Sequence, residues 1–259
     1  MPYNLIDTHT HLYYHYETEE FKNQIDRCLE AGVKKLIFPN VDSESIDKVL
    51  NSSKEYSDIC YPMMGLHPCS VDENYQSHLE VIKEQAYSTP IVAIGEIGID
   101  LHWDKETLPF QKEAFKMQLD WAIELGLPVS IHCRKAFEPL LEILSDYKPS
   151  RLSGVLHCFT EGIGEAQKCI DLGLHLGIGG VVTYKNAQEL KEAIREIDLK
   201  HLVLETDSPY LSPVPFRGKP NESSYLVYVA KEIAAIKGIN TQTVAEETTR
   251  NAERIFNLQ

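Results

Sequence analysis

Two histidines lie two residues apart near the start of the chain, directly after a short apolar segment. The segment Leu5–Asp7 has the character of a strand, and His9 and His11 follow it. Side chains two residues apart along a strand point to the same side, so the two imidazoles would face one point. Imidazole is the commonest side-chain metal ligand, but a His-x-His pair alone is a weak signal. Its weight comes from later acids and histidines that also stand at the ends of apolar segments.

Four such residues follow later in the chain: Glu96, His132, His157 and Asp207. A carboxylate directly after a buried strand is costly unless it is paired or bound to a cation. Four neutral imidazoles and two carboxylates suit zinc, manganese, nickel or iron better than calcium. This set is too large for one tetrahedral catalytic zinc ion, and it fits two divalent ions that share one carboxylate. The remaining positive charge would suit a hydroxide and one anionic oxygen, which favours hydrolysis of a phosphate ester.

The elements that would position these residues alternate regularly along the chain. Strands are predicted at Leu5–Asp7, Lys35–Pro39, Cys60–Gly65, Ile91–Gly95, Val129–His132, Gly154–His157, His175–Ile178 and Leu202–Glu205. Helices are predicted near Glu20–Ala31, Ser43–Glu55, Asn74–Gln85, Leu108–Leu125, Ala136–Asp146, Gly164–Leu172, Ala187–Glu196 and Ser223–Lys237. A last helix near Thr243–Ile255 opens with a capping-box pattern, Thr243-x-x-Glu246.

Eight strands, each followed by a helix, predict an α/β fold of the TIM-barrel type. The competing interpretation is an open doubly wound sheet, which periodicity does not separate from a barrel. The polar residues favour the barrel, because there all the C-terminal strand ends surround one mouth. In an open sheet the same residues would be spread along an edge. We therefore expect a single barrel domain over residues 1–259.

Composition limits the class of protein and its partners. The chain of 259 residues is 43% hydrophobic, which is ample for a large core, and no segment is apolar enough to cross a membrane. Six scattered cysteines and no signal peptide predict reduced thiols in a cytoplasmic protein. The formal charge of −14 argues against a basic surface for long duplex nucleic acid, although metal ions would allow an anionic substrate locally. No obligate protein partner is evident, and a monomer is the default.

Six motifs in this order resemble the TatD family of metal-dependent hydrolases and deoxyribonucleases, which have amidohydrolase-type barrels. The first is DTHTH, and the others are GLHP at Gly65–Pro68, GEIGID at Gly95–Asp100, IHCR at Ile131–Arg134, HCFT at His157–Thr160 and LETDSPYL at Leu204–Leu211. The resemblance extends from about residue 4 to residue 257, and one small departure is Ile99 where the family usually has leucine.

The resemblance implies two divalent ions, whether zinc, magnesium, manganese or nickel. The implied ligands are His9, His11, Glu96 and Asp207 for the first ion, and Glu96, His132 and His157 for the second. Asp207 would also direct the attacking water and take its proton. Family activities include trimming DNA from the 3′ end and deacylating misacylated tRNA. We expect a 3′–5′ exodeoxyribonuclease that takes single-stranded DNA ends. The alternatives are a metal-dependent deacylase on D-aminoacyl-tRNA or another ester or amide, and a non-catalytic metal-binding protein.

Two residues near the predicted mouth are candidates for contacts with the phosphate. His67 ends the third strand, and its alternative role is a histidine held by loop backbone. Arg134 follows His132 by two residues and has the geometry to fork onto a phosphate. Its alternative is an ion pair with a barrel carboxylate such as Glu138 or Glu96.

Three further residues have one functional and one structural interpretation. His102 and Trp103 follow the fourth strand, where they would contact the substrate, with the tryptophan stacked on a base, or would roof the barrel. Glu205 lies two residues before Asp207 and would orient a ligand imidazole. Its alternative is a structural pairing with Arg217 or Lys219.

Overall fold

The computed structural model describes residues 3–258. Eight parallel strands form one sheet in sequential order. The strands are β1 (Leu5–Asp7), β2 (Val33–Pro39), β3 (Cys60–Met64), β4 (Ala93–Asp100), β5 (Val129–Arg134), β6 (Gly154–Leu156), β7 (Leu174–Ile178) and β8 (Leu202–Leu204). The sheet closes on itself, because Thr8 donates its backbone N–H to the carbonyl of Leu204, and Thr10 pairs with Ser208. The predicted TIM barrel is therefore confirmed, and the open sheet is excluded.

Nine helices surround the barrel in the described part of the chain. They are α1 (Glu19–Ala31), α2 (Ile46–Glu55), α3 (Tyr75–Ser88), α4 (Leu108–Leu125), α5 (Phe137–Leu144), α6 (Ile163–Asp171), α7 (Gln188–Glu196), α8 (Leu226–Lys237) and α9 (Thr241–Phe256). Helix α1 illustrates how they form: Phe21, Ile25 and Cys28 share one buried face, and Thr18 caps the first turn by accepting from the N–H of Phe21. Each helix thus buries an apolar face against the sheet.

A second apolar cluster, separate from the larger core between the helices and the sheet, packs the interior of the barrel below its mouth. It takes residues from six strands and the end of α9, namely Ile6, Ile37, Met63, Ala93, Val155, Val203 and Phe256. Each strand residue precedes the polar end of its own strand. The polar residues therefore stand on an apolar floor, on the side of the barrel where active sites are found.

Strands β4 and β5 extend further than the sequence predicted. Glu96 lies inside β4, not at its end, and the register shifts between Gly95 and Ile97 leave Glu96 as the extra residue of a bulge. The two strands stay paired beyond this point because Gly98 has φ +145°, and a Cβ there would lie 2.0 Å from the carbonyl oxygen of His132. Gly98 thus permits the close pairing of the two strands.

The predicted capping box is also wrong. Helix α9 begins at Thr241, so Thr243 lies within its first turn. The cap is Asn240, whose side-chain oxygen accepts from the N–H of Thr243 at 2.7 Å. Within residues 3–258, no helix combines the length and the apolar character that a membrane span requires. The six cysteines all lie in this range and form no disulfide with one another.

Candidate metal centre

The mouth of the barrel opens into a cavity of about 740 Å³. Five of the six predicted ligands line it, namely His11, Glu96, His132, His157 and Asp207. The sixth, His9, is fully buried beside them. Residues separated by almost 200 positions in the chain therefore meet at one place, as the barrel topology requires.

Glu96 occupies the centre of this cluster and is 2% exposed. Its Oε2 lies 3.2 Å from Nε2 of His9 and 3.8 Å from Nε2 of His11. Its Oε1 lies 2.8 Å from Nδ1 of His132 and 2.8 Å from Nε2 of His157. The two oxygens of one carboxylate thus face two separate pairs of imidazoles. That is the arrangement a carboxylate needs to bridge two cations.

Asp207 completes the first of the two groups. Its Oδ1 lies 3.5 Å from Nε2 of His11 and 4.0 Å from Nε2 of His9. The backbone N–H of Asp207 donates to the carbonyl of His9 at 2.9 Å, which ties the loop after β8 to the loop after β1. Its side chain keeps 15% exposure and lines the cavity, so it is open to water that the other acid of the cluster does not meet.

The two imidazoles of the first group are backed by hydroxyls. Nδ1 of His9 lies 3.2 Å from Oγ of Ser130, and Nδ1 of His11 lies 3.1 Å from the hydroxyl of Tyr13. A hydroxyl oxygen can accept a proton from Nδ1, and in that tautomer the lone pair of Nε2 faces the cluster. Both contacts are therefore compatible with the tautomer that binds a cation.

The two imidazoles of the second group are backed by carboxylates. Nε2 of His132 lies 3.0 Å from Oδ2 of Asp100, and Nδ1 of His157 lies 3.5 Å from Oε1 of Glu205. The backbone N–H of Cys158 donates to the same oxygen of Glu205. A carboxylate behind a ligand imidazole fixes its tautomer and raises its basicity. The two groups therefore differ in charge on their outer side.

A fifth imidazole, that of His67, also reaches Glu96. Its Nε2 lies 3.1 Å from Oε1 of Glu96 and 3.4 Å from Nδ1 of His132. Distance alone would include it among the cation ligands. However, its Nδ1 accepts the backbone N–H of Cys69 at 3.0 Å, so in the neutral ring Nε2 carries the proton. His67 is therefore a hydrogen-bond donor to this site, unlike the four other histidines.

Burial and neighbouring groups of opposite charge shift the pKa values of the side chains in the cluster. Burial raises the pKa of Glu96, but the imidazoles of His67, His157 and His9 outweigh it and hold that pKa well below its usual range. Burial lowers the pKa of His157, but Glu96 and Glu205 outweigh it and raise that pKa well above its ordinary value. The carboxylate thus stays ionised, and a cation that enters displaces a proton from the imidazole.

The residues predicted to contact the phosphate and the substrate have different surroundings. Arg134 lines the cavity, and its guanidinium lies 5.5 Å from the centre of the Trp103 ring. Among the described residues it forms no ion pair with Glu138 or Glu96, so the structural alternative is wrong. The ring of His102 packs against Trp103 at 4.7 Å and lies outside the cavity lining.

The alternative role predicted for Glu205 is also wrong. Its carboxylate faces His157, while Arg217 lies over the ring of Tyr184 at 4.4 Å. Gly177 provides the space, because a Cβ there would lie 2.1 Å from Oε2 of Glu205. The structure therefore places this buried acid beside the imidazole of His157.

Sequence reasoning missed three residues on the outer side of the cluster: Asp100, Ser130 and Tyr13. Asp100 lies four positions after Glu96 on β4, and Ser130 lies two positions before His132 on β5, so alternation along the strand places each on the side of a predicted ligand. Tyr13 lies two positions after His11 but belongs to the short 3-10 helix Leu12–His15. Asp100 was assigned to a loop because β4 was predicted to end too early. The spacing along the chain could have indicated these residues. It could not show which histidine each would contact, because Ser130 and Asp100 contact histidines that follow or lie on other strands.

Comparison with known proteins agrees with this geometry. The family described as TatD related DNase matches residues 6–257. The chain is 38% identical to the "Uncharacterized metal-dependent hydrolase YabD" of Bacillus subtilis, with 98% of this chain and 99% of that protein covered. It is 34% identical to the "3'-5' ssDNA/RNA exonuclease TatD" of Erwinia tasmaniensis, with 90% and 92% covered.

A solved structure with the same fold is YJJV, a TatD homolog from Escherichia coli K12. It superimposes with a TM-score of 0.93 at 29% identity, and the whole of both chains is covered. The match of the family across nearly all of the sequence and the barrel that it shares with this structure lead to one conclusion: the chain belongs to the TatD family of metal-dependent hydrolases.

Proposed function

We propose that the protein is a two-metal phosphodiesterase that removes nucleotides from the 3′ end of single-stranded DNA. The observation that carries this proposal is Glu96, whose two oxygens face two separate pairs of imidazoles. The exonuclease name of the Erwinia relative supports the choice of substrate and direction.

The donor set fits two divalent ions. His9, His11 and Asp207 would hold one ion with Oε2 of Glu96, and His132 and His157 would hold the other with Oε1. Neutral imidazoles and carboxylates of this kind suit zinc, manganese or nickel, and magnesium is the remaining candidate. Bound ions would supply Lewis acidity and lower the pKa of a water molecule at the site.

The remaining steps belong to side chains of the chain itself. Asp207 is the acid of the cluster that keeps exposure to the cavity, and in this proposal it accepts the proton of the attacking water. His67 holds a proton on Nε2 and donates it as a hydrogen bond to a phosphate oxygen. Arg134 lines the same cavity and supplies a positive contact.

The charge of the protein favours single strands over duplexes. A net charge of −14 leaves little basis for binding a long stretch of phosphates by counterion release. A single strand needs to place only its terminal phosphodiester at the centre, where ions and Arg134 would supply positive charge. A cytoplasmic location and a monomeric state stay predictions from the sequence.

The test begins with chelator-treated protein that is reloaded separately with zinc, magnesium, manganese or nickel. A 5′-labelled single-stranded oligodeoxynucleotide should shorten one nucleotide at a time, whereas a 3′-labelled one should release its label at once. A misacylated tRNA serves as the competing substrate. Deacylation of the tRNA with no shortening of the DNA would overturn the proposal in favour of an esterase, and inactivity with every ion on both substrates would favour a non-catalytic protein.

Two variants test the assigned roles. Glu96→Ala and Asp207→Ala should each lower turnover by about 10³-fold or more, ~4 kcal/mol of transition-state stabilisation, and leave a folded barrel by circular dichroism. The matched control is Glu84→Gln on the exposed face of α3, which should have unchanged turnover. Near-normal turnover of either alanine variant would contradict the role assigned to that carboxylate.

A further inference from the structure

Three aromatic side chains stand exposed around the mouth of the barrel. Trp103 is 72% exposed, Tyr210 is 52% exposed and Tyr14 is 38% exposed, and all three line the cavity above the metal centre. A single exposed aromatic side chain is ordinary. Three at the rim of one cavity form an apolar surface directly beside the cluster of histidines and carboxylates.

The three rings lie on opposite sides of the metal centre. Trp103 follows β4, whereas Tyr14 and Tyr210 follow β1 and β8. Because β8 closes on β1 in a ring of eight strands, β4 lies across the mouth from both. We call Trp103 the first platform, and Tyr14 with Tyr210 the second platform.

Both platforms are attached to residues of the metal centre. The backbone N–H of Trp103 donates to Oδ1 of Asp100 at 3.3 Å, and the other carboxylate oxygen of Asp100 contacts His132. The ring of Tyr14 stacks on the ring of His11, with centroids 5.2 Å apart and planes at 17°. These contacts hold each platform next to a residue of the cluster.

The first platform also carries a positive charge. The guanidinium of Arg134 lies over the indole of Trp103, a favourable cation–π arrangement. Because Trp103 stays 72% exposed with Arg134 beside it, most of the indole remains open for another ring. A cation next to an open aromatic face suits a nucleotide, which joins a flat base to a negative phosphate.

We propose that the two platforms stack the two nucleobases that flank the scissile phosphate, so that the substrate is a single strand with these bases splayed apart. This inference rests on the proposed phosphodiesterase function. Stacking on aromatic rings tolerates every base, because each base has a π face. A base pair in a duplex would have to open before either base reached its platform. The two platforms would thus favour single-stranded substrates of any base sequence over duplexes.

The chain offers a direct optical test. It contains two tryptophans, Trp103 at the rim and Trp121, which is 3% exposed in the core. The metal-loaded protein is titrated with a phosphorothioate-linked oligothymidylate, which resists cleavage, and with an abasic strand of the same length. The thymidylate should quench part of the tryptophan emission to saturation and bind about tenfold or more tightly than the abasic strand, whereas Trp121 supplies a constant background.

Variants separate stacking from a structural role of the rings. Trp103→Ala and Tyr210→Ala should each reduce the ratio between thymidylate and abasic affinities, measured by anisotropy of labelled strands, while Trp103→Phe and Tyr210→Phe should largely keep it. The matched control is Tyr87→Ala, because Tyr87 is 43% exposed on α3 and does not line the cavity. Its ratio should equal that of the wild type.

The outcomes distinguish this inference from the proposed function. Equal affinity for thymidylate and abasic strands, with cleavage of DNA retained, would contradict base stacking on the platforms and would leave the proposed phosphodiesterase activity supported. Preferential binding of thymidylate with no cleavage under any metal would support the platforms and overturn the activity. Failure of both strands to bind would overturn both.

Discussion

Replacing Asp100 by asparagine tests whether the carboxylate behind His132 controls the affinity of the proposed second ion. Oδ2 of Asp100 lies 3.0 Å from Nε2 of His132, while Oδ1 accepts the N–H groups of His102 and Trp103 at 2.7 and 3.3 Å. To bind a cation through Nδ1, His132 must carry its proton on Nε2. An asparagine has only one acceptor oxygen, whereas both the imidazole and the loop N–H groups need an acceptor. In either orientation of the amide, its NH2 group faces another N–H donor.

The size of the effect follows from this conflict of donors. One orientation presents NH2 to the imidazole and favours the tautomer with the proton on Nδ1, which does not bind the cation. The other orientation loses the hydrogen bonds that hold the loop after β4. Removing a group that orients a metal ligand typically lowers metal affinity by about 10- to 100-fold. We therefore expect the second ion to bind ~1.4–2.8 kcal/mol more weakly in Asp100→Asn.

The assay is a competitive titration of metal-free protein with zinc against a chromophoric chelator, combined with metal analysis after gel filtration. The first ion provides an internal reference, because its imidazoles are backed by Ser130 and Tyr13 and not by Asp100. The matched control is Asp104→Asn on the same loop, an exposed residue whose side chain accepts the backbone N–H of Glu106. Two ions bound with wild-type affinities in Asp100→Asn would refute the assigned role of this carboxylate.

Three further predictions concern the metal-free protein and the supports of the site. Hydrogen bonds and neighbouring carboxylates raise the pKa of His132 and of His157 above the ordinary 6.5. The protonated rings therefore stabilise the folded state fully below pH 6.5, and this contribution to the free energy of unfolding is lost as the pH rises through the raised pKa values. The melting temperature of the EDTA-treated protein should fall over that pH range, and the increase in melting temperature on adding zinc should become larger as the pH rises. An increase that stays constant with pH would contradict the raised pKa values. Gly177→Ala should force Glu205 to move, with a loss of about 1–3 kcal/mol in urea unfolding, and an unchanged midpoint would argue against the close contact. Asn221→Ala removes an amide that donates to two carbonyl oxygens of the loop after β8, at 2.8 and 2.7 Å; about 1–3 kcal/mol should be lost in the same measurement, and a fully stable variant would show those bonds to be unimportant.

The residues of the cluster were accessible from the sequence because their prediction rests on local patterns. Short apolar segments predict buried strands, and a polar residue that directly follows one must find a partner. His9, His157 and Asp207 were found in this way, and the barrel followed from the alternation of strands and helices. These inferences need only the periodicity of each element and the rule that parallel strand ends meet at one mouth.

The division of the site into two differently backed pairs was decided only by the tertiary structure. Ser130 contacts His9 across 121 positions of the chain, and Asp100 contacts His132 across 32. The second of these contacts depends on the register of β4 against β5, and this register depends on how closely two backbones approach at Gly98. No local pattern contains that distance, because it is a property of two strands packed together.

The same limit applies to His67, for which the sequence left two roles open. Its tautomer is set by one backbone N–H in the loop that follows it, and its access to Glu96 is set by the closure of the barrel. The residue types thus determined which chemistry the chain carries. The long-range packing of the strands determined which nitrogen of each ring faces the centre, because a side chain's neighbours across the barrel are chosen by the fold and not by its neighbours in sequence.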